Sequence, residues 1–126
     1  MRAVDTNVLV RLVTRDDPEQ VAAADRFIAG GAWVSVLAMA EATWVLESVY
    51  DRRASQIATA VEMFLSHQQL TLQDPEVIAA ALEQFKRKPT LCYADCLLLE
   101  LARKAGHLPL GTFDRSLSKL DGAEKL

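Results

Sequence analysis

Histidine and cysteine are scarce in this chain, two of each among 126 residues. Cys92 and Cys96 stand four apart with no histidine beside them, a pattern that supports neither a zinc site nor a disulfide framework. Both read as buried thiols. A basic excess is missing too: 14 Lys and Arg against 17 Asp and Glu leave a net charge of −3 and a pI of about 5.3. That excludes a protein that coats nucleic acid by bulk attraction, which needs a broad basic face, and leaves room only for a local basic patch. No apolar run approaches the roughly 18–20 residues that span a bilayer, and the chain enters a strand-like pattern without a signal peptide's charged and apolar regions, so a cytoplasmic protein is expected. Internal repeats, low-complexity segments and linkers are also lacking.

What is present is a globular composition, 51% hydrophobic and 25% charged. A chain of this length buries a real core and is too short for two comfortable ones, so one domain over residues 1–126 is expected.

Strand-like and helical patterns alternate along it. Residues 2–5 read as a strand, and a helix follows from about Val8. Asp17 as N-cap, Pro18 at the first helical position and apolar Val21, Ala24 and Ile28 announce a second helix, stopped by Gly30 and Gly31. "AWVSV" is strand-like, Leu37 to about Tyr50 is helical, and Ser55 is placed to cap the next helix. "LTL" at 70–72 is a short strand. Asp74 and Pro75 open a helix to about Lys86, another runs from Tyr93 to Ala105, and strands follow at 108–113 and near "AEKL". Helices of ten or more residues between strands imply parallel pairing with right-handed crossovers, hence a three-layer α/β sandwich. In such sheets the ligand crevice lies beyond the carboxyl ends of the strands. Asp5 and Asp114 both follow strands and so point at that rim.

Two further acids stand out by helical spacing. Glu41 shares a face with Leu37, Trp44 and Val45, which places a carboxylate within an apolar stripe. Asp95 shares one with Leu98, Leu99 and Ala102, whereas Glu100 turns toward Arg103 and Lys104 and reads as solvated. An ionised carboxylate taken out of water must gain a proton, a cation or a metal. Near these four acids in sequence only Arg11 and Arg115 offer fixed positive charge, which is too little. A divalent ion suffices, and ligation by oxygen alone suits Mg²⁺ or Mn²⁺. Arg11 and Arg115 are then candidates for substrate phosphate, alongside Arg15, Arg52, Arg53, Lys86, Arg87 and Lys88. Trp33 and Trp44 are expected in the core.

With those residues in view, the chain resembles the PIN-domain family, most closely its small bacterial and archaeal members, the VapC-like toxins of type II toxin–antitoxin pairs. The resemblance rests on "VDTNVLVRLV" at residues 4–13, on Glu41 in "SVLAMAEATWVL", on Asp95 in "YADCLLLELARKAG" and on "LGTFDRSLSKLDG" near the end. It spans nearly the whole chain. It implies an α/β/α sandwich with a central, mostly parallel sheet, and a quartet of Asp5, Glu41, Asp95 and Asp114 holding one or two Mg²⁺ or Mn²⁺ ions. It also implies that Thr112 supports the site by its hydroxyl and that Asn7, with Thr6 beside it, props Asp5. The activity implied is metal-dependent hydrolysis of RNA phosphodiesters. The implied partners are an RNA substrate, a small cognate antitoxin whose tail offers a basic side chain to the acidic pocket, and a second copy in a homodimer. Tyr93 and Cys96 depart from the residues usual beside the third acid and alter the pocket's shape rather than its ligands.

Two rival classes also gather aspartates at strand ends or keep such a fold. A phosphatase or receiver domain for phosphoryl transfer needs a D-x-D pair or paired early acids, and here Asn7 stands where the second Asp is required. A non-catalytic binding module retains the fold without any cleavage to lose.

Overall fold

A computed structural model describes residues 1–126. The elements run β1 (Arg2–Ala3), α1 (Thr6–Thr14), α2 (Pro18–Ile28), β2 (Ala32–Val34), α3 (Val36–Ser48), α4 (Ala54–Ser66), β3 (Leu70–Leu72), α5 (Pro75–Arg87), α6 (Tyr93–Ala105), β4 (Leu110–Thr112), a 3-10 turn (Leu117–Lys119) and β5 (Ala123–Lys125).

Local chemistry sets most of these boundaries. Asp5, Asp17 and Ser35 stand in extended backbone and accept the amides of Val8, Gln20 and Ala38 at 3.2, 3.1 and 3.0 Å, so each satisfies an amide of a first helical turn. Such a cap contributes about 1 kcal/mol. Helix α6 stops where Gly106 turns left-handed at φ +81° and returns its amide to the carbonyls of Ala102 and Arg103. Helix α4 departs from expectation. Its N-cap is Arg53, with Ser55 already inside the first turn, because the Gln56 side chain accepts the Arg53 amide at 2.8 Å and fixes the start two residues earlier.

All strand pairs are parallel, as the long helical connections require. They fall into two ladders: β1-β2-β3, with Ala32 opposite Arg2 and Leu70, and β4-β5, with Leu110 opposite Ala123. No backbone hydrogen bond joins the two ladders. The β4-β5 piece is held instead by side chains. Arg103 of α6 donates Nη2–H to the carbonyl of Asp121 at 2.7 Å, and its guanidinium lies 3.0 Å from where a Cβ on Gly122 would stand. Gly122, at φ +96°, is therefore needed both for its backbone and for that close approach.

One cluster of 31 buried residues, from Val4 to Leu120, fills the space between helices and strands. Tyr93 lies inside it, its ring edge against Phe85 with centroids 5.8 Å apart and its hydroxyl donating to the Ile78 carbonyl at 2.8 Å. Cys96 is buried there as expected, its thiol pushed up to about 12 chiefly by desolvation, and Cys92 is half-buried; both are free thiols.

Three expectations about burial are overturned. Trp33 and Trp44 are exposed, Trp44 by 57%. Helix α3 is apolar nearly all round, and its buried face is formed by Val36, Ala38, Met39, Ala42, Thr43 and Leu46, which turns Trp44 outward together with Leu37 and Glu41. The apolar stripe bearing Glu41 is thus the outer one. Glu100, expected in solvent, is only 7% exposed. Arg103 donates to its Oε1 at 3.3 Å and Gln84 to its Oε2 at 3.4 Å, so the carboxylate is paired where α5 packs on α6.

Candidate functional site

The acidic side chains singled out above come from four segments spread over 110 residues, from Asp5 to Asp114. Asp5 follows β1 and caps α1. Glu41 lies in the second turn of α3, the helix that leaves the neighbouring strand β2. Asp95 lies in the first turn of α6, and Asp114 follows β4. Helix α3 packs against both α1 and α6, so the helices that begin beside Asp5 and that carry Glu41 and Asp95 are neighbours.

Two contacts measure how closely they meet. Thr6 donates its hydroxyl to Glu41 Oε2 at 3.0 Å, linking the end of β1 to α3 across 35 residues of chain. Asp95 has its carboxyl raised above the usual carboxylate range, first by partial burial and then by the negative charge of Asp114. A like charge nearby disfavours the ionised form, so the Asp114 carboxylate adds to the effect of burial on Asp95. A hydrogen bond from Thr6 was not legible in sequence, where Thr6 was merely the neighbour of Asp5; nothing local marks a partner so distant.

The supporting residues divide. The Asp114 amide donates to the Thr112 hydroxyl at 3.0 Å, and Asp114 Oδ1 accepts the Leu117 amide at 2.7 Å, so the loop after β4 is folded around that carboxylate. Asn7 makes no hydrogen bond to Asp5 and lines a groove between α1 and α2 with Val8, Gln20 and Phe27. Arg11 turns into the same groove. Its guanidinium donates to Gln20, to the Tyr50 hydroxyl at 2.8 Å and to Asp16 at 3.3 Å, leaving it engaged away from the acids. Arg115 is exposed and has no carboxylate within ion-pair distance.

The fit to a divalent ion follows from the donor set. Every candidate ligand is a carboxylate oxygen, with hydroxyls of Thr6 and Thr112 beside them. No three His, Cys, Asp or Glu side chains are gathered tightly enough to cage an ion unaided. That arrangement excludes a closed four-ligand zinc site. It suits a hard cation that keeps several waters and takes one or two carboxylates directly, which is how Mg²⁺ is ordinarily held. The donor chemistry present therefore suits such an ion, which Asp5, Glu41, Asp95 and Asp114 are the side chains available to hold.

No helix is long and apolar enough to cross a membrane. No curated protein and no solved structure matches the chain. A family model described as PIN domain matches residues 2–123.

Proposed function

The chain belongs to the PIN-domain family, a metal-dependent nuclease fold, and from that premise we propose that it is an endoribonuclease using Mg²⁺ or Mn²⁺, the toxin of a toxin–antitoxin pair acting in the cytoplasm. The observation that carries the reading is the hydrogen bond from Thr6 to Glu41, which joins the end of β1 to α3 across 35 residues of chain, supported by the raised carboxyl of Asp95, to which the charge of Asp114 contributes after burial.

In this reading Asp5, Glu41, Asp95 and Asp114 would hold the ion, Thr6 orients Glu41 and Thr112 fixes the loop of Asp114. The ion supplies positive charge at the attacked phosphate and its leaving oxygen. Glu41, held at Oε2 by Thr6, keeps Oε1 free to accept a proton from the attacking water. The new phosphorus–oxygen bond comes from that water, and the bond to the leaving ribose oxygen breaks as that oxygen takes up a proton. The same acidic edge suits a basic side chain from an antitoxin tail. Leu37, Trp44 and Leu98, exposed by 54% to 68% on the packed pair α3 and α6, suit a second copy of the chain.

The test is incubation of the purified chain and its Asp95→Asn variant with total RNA, in Mg²⁺ or chelator, with mapping of the new ends. Defined ends that require both Mg²⁺ and Asp95 support the reading. Intact RNA throughout sinks it, and a covalent aspartyl phosphate points to the phosphoryl-transfer class.

A further inference from the structure

Five of the fourteen Lys and Arg side chains are paired with carboxylates: Arg11 and Arg15 bind Asp16 and Asp25, Lys86 binds Glu62, Arg103 binds Glu100, and Lys104 binds Asp74 and Glu76. Among the nine that are not, Arg52 and Arg53 are set apart by where they lie. They lie side by side in the turn between α3 and α4, neither guanidinium has a carboxylate within ion-pair distance, and both line a single pocket of about 280 Å³.

The walls of that pocket locate it relative to the acids. One is the last turn of α3, at Glu47, six residues beyond Glu41 and so about 9 Å along the same helix. Another is the segment Pro89, Thr90 and Leu91, which runs directly into α6 and Asp95. The pocket is thus bounded by the last turn of the helix that carries Glu41 and by the segment that leads into the helix of Asp95. Arg53, Ala54, Phe85 and Pro89 also line an adjoining groove of about 550 Å³ that continues along α4 and α5 to Lys86. The two guanidiniums share the pocket with Glu47, which lies beyond ion-pair distance of both, and the pair leaves a net positive charge opposite in sign to the acidic side chains, as a polyanion approaching those acids requires.

We propose that the pocket of Arg52, Arg53 and Thr90 is a subsite for the RNA backbone next to the scissile phosphate. The inference rests on the nuclease reading. Planar guanidiniums grip a phosphate through paired N–H donors, and the free Thr90 hydroxyl adds a third donor at the same mouth. Phosphate contacts position a strand without reading its bases, so the subsite sets register on the metal centre rather than sequence preference.

The experiment measures binding apart from cleavage. A short single-stranded RNA of mixed sequence, labelled with fluorescein, is titrated with the Asp95→Asn chain by anisotropy across a salt series, alone and combined with Arg52→Ala/Arg53→Ala, Arg53→Lys, or Arg26→Ala as a charge-matched change on α2. Melting curves confirm that each variant folds. The double variant is expected to bind about 10- to 100-fold more weakly and to lower the salt slope by about 1 to 2. Arg53→Lys should fall between, because charge survives while the paired donors are lost, and Arg26→Ala should match the parent. In otherwise wild-type protein the double variant should raise KM with kcat nearly unchanged. Equal binding by the double variant and the parent overturns the subsite, as does an equal loss from Arg26→Ala, or the absence of any RNA binding. A chain that binds through these arginines yet cuts nothing overturns the nuclease reading and leaves the pocket as an RNA site.

Discussion

Thr6 Oγ1 and Glu41 Oε2 are 3.0 Å apart, so the residue after the first acid holds the second in place. Replacing Thr6 by Val keeps the shape and removes the donor. The bond is solvent-exposed, and its loss should cost about 0.5–1 kcal/mol of stability. If Glu41 works only when oriented, cleavage should fall further, by about tenfold or more, with KM little changed. Denaturant unfolding and steady-state cleavage of one RNA separate these two effects; a loss of activity no larger than the loss of folded protein removes Thr6 from the machinery.

The carboxyl of Asp95 is raised in the folded chain, first by partial burial and then by the charge of Asp114. A raised carboxyl favours the protonated folded state, so the penalty is absent at pH values below the ordinary carboxylate range and grows as pH rises through the unfolded and then the folded value. Asp95→Asn should therefore melt higher than wild type at neutral pH without divalent metal. That advantage should vanish in acid. Melting curves from pH 3 to 8 in chelator test the sign, and a variant less stable at neutral pH contradicts it.

Metal should reverse the same balance. If the folded chain holds the ion through these carboxylates, Mg²⁺ or Mn²⁺ at ten times its dissociation constant should add about 1.4 kcal/mol, or roughly 5 °C in Tm. In Asp95→Asn or Asp114→Asn the rise should shrink to near zero. An equal rise in all three proteins assigns the effect to ions bound elsewhere.

Glu100 is the one buried carboxylate, and Arg103 is its cation. Arg103→Ala leaves that charge with Gln84 alone and also frees the Asp121 carbonyl, so it should cost about 1–2 kcal/mol, measured by urea unfolding. Glu100→Gln/Arg103→Ala should recover part of the loss, because no buried charge remains unpaired.

If Leu37, Trp44 and Leu98 face a second copy, Trp44→Glu or Leu98→Glu should convert dimer to monomer in size-exclusion chromatography with light scattering. A wild-type chain that is monomeric at high concentration ends that reading.

The helices were legible wherever a side chain announces a boundary. Asp17 with Pro18, Asp74 with Pro75, and Gly106 after Ala105 mark their ends within a residue or so, and "LTL" is β3 to the residue. The positions of Asp5 and Asp114 after strands and of Asp95 in a first helical turn were legible because strand ends and helix starts are local features. Orientation was not. In α3 both faces are apolar, so spacing groups Leu37, Glu41 and Trp44 together without saying that their side is the outer one. Glu100 was misread for a related reason: its neighbour Arg103 is the same in solvent or under a packed helix, and only the meeting of α5 with α6 decides which. The division of the strands into two ladders depends on pairings between distant segments, about which no single segment carries information.

That division bears on how the acidic pair is spaced. Asp95 rides on a helix seated in the core, whereas Asp114 rides on the β4-β5 piece, which is tied to that helix through the Arg103 guanidinium and to the rest by no backbone ladder. One carboxylate thus stands on a core helix and the other beside a separate ladder, and what sets their spacing is side-chain packing, through Leu117 and Leu120 in the core and through an arginine about two helical turns along α6 from Asp95, rather than a shared sheet.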